Sequence, residues 1–272
     1  MTKKHLSAGA VLMPLALTFA ALLLAGCSTL SSLTGAMGGQ TNTTQSKQAD
    51  NPPASDKGQA QGSATPALAY QYQFSAFYTG FWSMGWFGYK DANYKPGQGT
   101  VWNFTTTGGS SKEPVTFERA LLKVVPGNSQ WWRFKMTSGK TNIVYEFLVG
   151  PDTVVTKVRY QDPDSGTIGE FVPSPDQMKQ PGVQASSAPK SRAEMAKYLT
   201  GKETVQVGAG KFTTDHYLYT DDASNGTAES WVNEKVPGYM VKSLYTSKKN
   251  NQTSTGELTQ IESGVTTSLN SY

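Results

Sequence analysis

A two-residue rhythm runs through the middle of the chain and restricts it to β-structure. In Trp131-Trp132-Arg133-Phe134-Lys135-Met136, the side chains of Trp132, Phe134 and Met136 fall on one side of an extended backbone, and Arg133 and Lys135 on the other. That alternation is the mark of a half-buried strand. Residues 142–149 repeat it, with Ile143, Tyr145, Phe147 and Val149 on one face and Glu146 opposite, among further apolar residues. Residues 154–160 then set Val154, Val158 and Tyr160 against Lys157 and Arg159. Thr137-Ser138-Gly139-Lys140-Thr141 and Gly150-Pro151-Asp152 lie between these runs, and such residues favour turns, so the three strands are expected to pair antiparallel as a meander.

The same reading places further strands near residues 99–107, 115–125, 167–172, 203–207, 212–220, 228–233, 239–246 and 257–261. Asn225-Gly226 is a strong hairpin signal between two of them. One short helix is expected at residues 191–199, where Ser191 can cap, Glu194 stands three residues on, and Met195 and Leu199 lie one turn apart. The loop before it, residues 173–189, holds four prolines and cannot be a central strand.

The N-terminus has a different composition. Lys3, Lys4 and His5 precede an apolar stretch over residues 8–24, broken only by Pro14 and Thr18, and small residues follow. Residues 1–26 have the layout of a secretory signal peptide. They end in Leu24-Ala25-Gly26 before Cys27, the one cysteine of the chain, and this run resembles the lipobox of bacterial lipoproteins. The resemblance implies cleavage before Cys27 and a diacylglyceryl group on its thiol. Several acyl chains anchor a protein stably where a single chain binds only marginally, so the partner implied is a membrane reached through lipid on Cys27. A residue other than Asp after that cysteine, here Ser28, implies the periplasmic face of the outer membrane. Residues 27–67 are Ser, Thr, Gly, Gln, Asn, Ala and Pro with few large apolar side chains. They read as a disordered tether, because they cannot bury enough surface to offset chain entropy. The β domain spans residues 68–262, and residues 263–272 read as a flexible tail.

Charge and composition narrow the function. Losing residues 1–26 takes two of the 24 Lys and Arg residues and none of the 20 Asp and Glu, which leaves the remainder near neutral with no basic cluster. Nucleic acid is not an expected partner. With one cysteine and two histidines in the chain, neither a disulfide nor a His- or Cys-rich metal site is expected, and no cofactor is implied. No G-x-S-x-G elbow is present, and His216 is the one histidine outside the leader. It shares a strand face with Phe212 and Leu218 and is read as a buried, hydrogen-bonded structural residue, with a hydrolase built on His216 as the competing reading. Asp162-Pro163-Asp164-Ser165-Gly166 looks like the start of a Ca²⁺ loop, yet Pro173 stands where the bidentate Glu is needed. It is read as a turn.

Residues 70–94 are dense in aromatics, among them Phe74, Phe77, Tyr78, Phe81, Trp82, Trp86, Phe87 and Tyr89, interleaved with Gly80, Gly85 and Gly88. Two readings stand side by side. These rings form an N-terminal strand and a glycine-relaxed turn that close the core, or some of them line an apolar cavity or an exposed contact patch.

In the C-terminal half, Thr204-Val205-Gln206-Val207-Gly208-Ala209-Gly210-Lys211-Phe212, then His216-Tyr217, Trp231-Val232-Asn233-Glu234-Lys235-Val236-Pro237-Gly238 and Val241-Lys242 resemble a pattern of bacterial envelope lipoproteins and periplasmic proteins. Those proteins are similar in fold to the LolA/LolB lipoprotein carriers. The resemblance implies an incomplete antiparallel β-barrel, curved around an apolar cavity that can hold an acyl chain and is partly closed by helices. With one short expected helix, the helical lid of the carriers has no obvious counterpart here. The expectation is thus a mostly β chain, a curved antiparallel sheet or incomplete barrel, non-catalytic, binding a lipid or other apolar ligand through Trp132, Phe134, Tyr145, Phe147 and Trp231. An envelope scaffold that binds a protein partner is the alternative.

Overall fold

A computed structural model describes residues 70–71, 73–75, 77–78, 93–108, 113–174, 195–221, 225–249 and 251–272. The leader, Cys27 and the tether lie outside these residues, as do residues 191–194 of the expected helix and most of the proline loop.

The described strands form one eleven-stranded antiparallel sheet. In chain order they are β1 (Gln98–Thr107), β2 (Val115–Val125), β3 (Ser129–Ser138), β4 (Thr141–Val149), β5 (Val155–Gln161), β6 (Ile168–Phe171), β7 (Leu199–Val207), β8 (Gly210–Asp221), β9 (Gly226–Val232), β10 (Met240–Ser247) and β11 (Gln252–Glu262). Their order across the sheet is β6-β5-β4-β3-β2-β1-β11-β10-β9-β8-β7. Two meanders, β1–β6 and β7–β11, are therefore sewn together by the single non-sequential pair, β1 with β11. The sheet is open, with β6 and β7 at its edges. All eleven expected strand positions are occupied, as turn chemistry and period-two patterning required. Left-handed backbone at Asn225 (φ 46) and Gly139 (φ 54) closes two of the hairpins at positions the sequence marked.

Register divides the side chains between two faces. Trp132 of β3 stands opposite Phe147, which stands opposite Val158, and Phe134 stands opposite Tyr145. These and Phe117, Leu121, Met136 and Ile143 make the main core, on what is called here the helix face. Arg133, Glu146 and Arg159 lie directly opposite one another on the other, tail face. A β-bulge between Leu148 and Val149 shifts the pairing with β5, so Val155 enters the core and Val154 is exposed. This corrects the expected inward position of Val154.

Three further elements differ from expectation. The described residues between 70 and 78 are helical, not an N-terminal strand. Tyr70, Phe74, Phe77 and Tyr78 recur at the spacing of one helix face, and Phe74, Phe77 and Tyr78 are buried against the main core. At the one expected helix, residues 191–199, Met195 and the 3-10 turn Ala196–Tyr198 are helical, and Leu199 already begins β7. Residues 263–272, read as a flexible tail, run over the tail face, where Leu269 is 1% exposed.

At the far end of the sheet, Gly208 and Ala209 turn β7 into β8, and the Ala209 amide donates to the Leu258 carbonyl at 3.1 Å. This tip folds back on β11, closing a second cluster of Trp102, Val207, Val236, Met240, Val241 and Leu258.

Candidate functional site

The helix face of β3–β6 is the site at which the sequence-derived ligand residues meet. Trp132, Phe134, Tyr145 and Phe147 are brought together there, each nearly inaccessible. The helical residues fill the space above them. The ring of Phe74 lies 5.3 Å from that of Tyr145 and 5.4 Å from that of Phe147, both edge-on, and Phe77 lies 5.7 Å from Phe134. Such offset and edge contacts add to simple burial. The interstice among Phe74, Phe77, Tyr78, Phe134, Tyr145 and Phe147 has no room for a water molecule. The expected apolar cavity is thus occupied by the chain's own side chains.

Three tyrosine hydroxyls hold the helical residues down. Tyr70 donates to Asp162 Oδ2 at 2.8 Å, Tyr145 donates to Gln73 Oε1 at 2.7 Å, and Tyr78 donates to the Thr153 carbonyl at 3.1 Å. Tyr70 also stacks on Tyr160, with centroids 4.3 Å apart. Burial, followed by the bond to Asp162, pushes the Tyr70 hydroxyl well above its ordinary value, and burial does the same to Tyr145. Asp162 is held down to about 2, first by the Ser165 amide and then by the Tyr70 hydroxyl. Its Oδ1 accepts from the amides of Asp164 and Ser165 at 2.9 and 2.8 Å, an Asx turn. The 162–166 segment is indeed a turn, with Asp162 aimed at the helix latch.

Trp231 does not join this group. It lies on the opposite face, at the other end of the sheet, stacked on His216 with centroids 4.6 Å apart and planes within 2°. Its Nε1 donates to Glu203 Oε2 at 2.5 Å. His216 Nε2 is 2.9 Å from Glu229 Oε2 and Nδ1 is 3.6 Å from Glu203 Oε2. The imidazole is hydrogen-bonded as expected, but its side chain is 20% exposed and not buried in the core. Two carboxylates and an indole ring fix its plane. Among the described residues no hydroxyl is hydrogen-bonded to the ring.

The tail face carries the site that patterning did not single out. Glu146, wholly inaccessible, receives four hydrogen bonds. Thr267 Oγ1 and Ser271 Oγ donate to Oε2 at 2.5 and 2.6 Å, and the Ser268 amide and hydroxyl donate to Oε1 at 2.7 and 3.1 Å. Arg133 Nη1 donates to the Thr266 carbonyl at 3.0 Å and Arg159 Nη1 to the Leu269 carbonyl at 2.7 Å and to the Asn270 carbonyl. Both arginines keep carboxylate partners of their own, Glu118 and Glu170. Val265 packs on the apolar patch of Ala120, Leu122 and Trp131, and Tyr272 lies over Trp131. The signal for this site was present in Glu146, an outward acid opposite Arg133 and Arg159 once the register is known. A shallow groove of about 210 Å³ beside it is lined by Val101, Thr116, Glu118, Lys135 and Thr137.

No protein-family model and no curated protein matches the chain. Among solved structures it is similar to MucB of Pseudomonas aeruginosa in its complex with MucA, at 13% identity over 72% of this chain and 59% of that one, with a TM-score of 0.38. A Bacteroides fragilis protein with a YmcC-like fold shares 11% identity over 62% of this chain and 97% of its own, at 0.32. A Vibrio parahaemolyticus domain assigned to outer-membrane lipoprotein sorting shares 7% over 64% and 88%, at 0.30. The architecture expected from the sequence, a mostly β chain built on an antiparallel sheet, is present, with the sheet open and a helical segment on one face.

Proposed function

We propose that this is a lipid-anchored protein of the bacterial envelope, tethered through acyl chains on Cys27 to the periplasmic face of the outer membrane, whose β domain holds an apolar ligand without catalysing a reaction. The observation that supports it most is the way the helix face is closed. An aromatic floor of Phe134, Tyr145 and Phe147 is covered by Phe74, Phe77 and Tyr78 of the described helical residues, and Trp132 beside it by Tyr94, rather than by a second sheet. Each buried aromatic ring contributes about 1.5–3 kcal/mol through loss of apolar surface to water. An acyl chain that replaced Phe74 and Phe77 would recover that burial, so exchange of one cover for the other is close to balanced. His216 stands on the opposite face and takes no part.

The test is native mass spectrometry and uptake of a fluorescent fatty acid by the full chain carrying Cys27→Ser. Co-purified lipid or saturable uptake, lost in Phe134→Asp, is the expected result. Neither lipid nor uptake sinks the ligand reading. Labelled palmitate incorporated into the wild-type chain and absent from Cys27→Ser is expected for the anchor, and equal labelling of both rejects it. A second reading, a scaffold for a protein partner, is favoured by β7, whose outer edge has no strand neighbour among the described residues. Such an edge accepts an added strand.

A further inference from the structure

The Glu146 site has the attributes of a peptide-recognition site that already holds a peptide. A fully buried carboxylate reads hydroxyls at the first, second and fifth places of Thr267-Ser268-Leu269-Asn270-Ser271. The third place, Leu269, is buried, and two arginines hold the main chain. The same pattern occurs once more at the start of the tether. Ser28-Thr29-Leu30-Ser31-Ser32 has hydroxyls at places one, two and five and leucine at place three. Only the fourth place is less suited, since Asn270 has left-handed backbone (φ 54), which serine adopts less readily than asparagine.

Geometry puts that segment within reach. The Tyr145 hydroxyl oxygen on the helix face lies 3.4 Å from the Tyr70 carbonyl oxygen, and Glu146 is the next residue of β4 on the other face. The two ends of the route are thus separated by the thickness of one sheet. Passing around the β6 edge means crossing β5 and β6 outward and again inward, a path of about 30–40 Å at strand and sheet spacings. On the tether reading of the sequence, residues 33–69 would have a root-mean-square span of about 30–35 Å.

We infer that the Glu146 site binds a hydroxyl-hydroxyl-Leu-x-Ser peptide, and that residues 28–32 compete there with residues 267–271. Binding of the tether peptide releases the tail and uncovers Trp131. Cys27 immediately precedes the competing peptide, so on the lipid-anchored reading, the one part of the inference that rests on it, the exchange draws the tail face of the domain down to the bilayer. With the tail seated, the domain stands off by the full length of the tether.

The test needs no lipid. Two acetylated, dye-labelled peptides, residues 28–33 and residues 267–272, are titrated by fluorescence anisotropy into three forms of the full chain with Cys27→Ser. These are the otherwise unaltered chain, a chain ending at Thr266 with Leu30→Asp to remove its own competitor, and that truncated chain with Glu146→Gln. Both peptides are expected to bind the truncated chain, within tenfold of each other, and to bind the unaltered chain at least tenfold more weakly. Glu146→Gln is expected to weaken both at least tenfold. If the truncated chain fails to fold, Leu269→Asp in the full-length Leu30→Asp chain loosens the tail in its place, with the same expected pattern. Binding of the 267–272 peptide alone, with the 28–33 peptide no better than a scrambled sequence, overturns the inference, and so does binding of neither. Fatty-acid uptake by the same chains reads the ligand proposal separately, because it depends on the opposite face.

Discussion

The two meanders of this sheet obtain their burial in different ways. The half built from β1–β6 is covered on both faces by segments from outside it: the helical residues near 74 on one side and residues 265–272 on the other. The half built from β7–β11 covers itself, by folding the β7–β8 tip back on Leu258, and leaves its other face to charged and aromatic side chains such as Glu203, His216 and Lys242. The contrast teaches where exchange is possible. A cover that is covalently remote from its floor can leave without unpairing a strand, whereas a hairpin that covers its own neighbours cannot.

Substitutions test this difference between the two halves. The largest effect is expected for Phe134→Ala, under the helical cover, at about 3–5 kcal/mol for loss of a buried ring, measured by denaturant unfolding. Next is Glu146→Ala, at about 3 kcal/mol, because removing a buried carboxylate leaves Arg133, Arg159 and three tail hydroxyls facing a void. Limited proteolysis of this variant should cut residues 265–272 first, and a tail that stays protected would refute its dependence on Glu146. Leu258→Ala in the self-covered half should cost about 2–3 kcal/mol; a loss larger than that of Phe134→Ala would reverse the ranking of the two halves. His216→Ala, on the open face, should cost about 1 kcal/mol, the scale of one ring stack.

The smallest expected effect is on the helix latch and varies with pH. Asp162 has a folded value of about 2, below its ordinary 3.8. Its contribution is therefore present above that ordinary value and is lost as pH falls through about 2. Tyr70 is displaced upward from 10.0, so its contribution is complete below pH 10 and is lost at more alkaline pH. Hydrogen exchange at the described helical residues should accelerate toward both extremes, and Asp162→Asn should flatten the acid limb. An unchanged acid limb in that variant would mean that Asp162 does not hold the latch.

Most of the strands were legible because a sheet with one apolar face tends to alternate, and residues 131–136 and 142–149 keep one face wholly apolar, with Trp131, Val144 and Leu148 as apolar exceptions on the other. What alternation cannot convey is which segment covers the face. Tyr70, Phe74, Phe77 and Tyr78 carry a helical period, but aromatic residues among glycines also suit a strand and turn. Only the presence of a flat aromatic floor selects the helix. Trp132, Phe134, Tyr145 and Phe147 were grouped correctly because they share strand parity on paired neighbours. Trp231 was misplaced because parity within one strand does not say which face of a distant strand it shares. The tail was the least legible, since Thr267, Ser268 and Ser271 look like solvated polar residues until the buried acid they satisfy is known.

The seam between β1 and β11 also governs how the molecule is assembled. Gly99 pairs with Glu262 and Thr107 with Thr253, so this ladder joins parts of the chain that are far apart in sequence, while every other pair joins successive strands. Closing so long a loop costs entropy before it returns contacts. Each meander can form from local hairpins, but β1 and β11 keep bare edges until they find each other. Bare strand edges accept foreign strands, so the seam is the step at which slow folding and misassembly are expected.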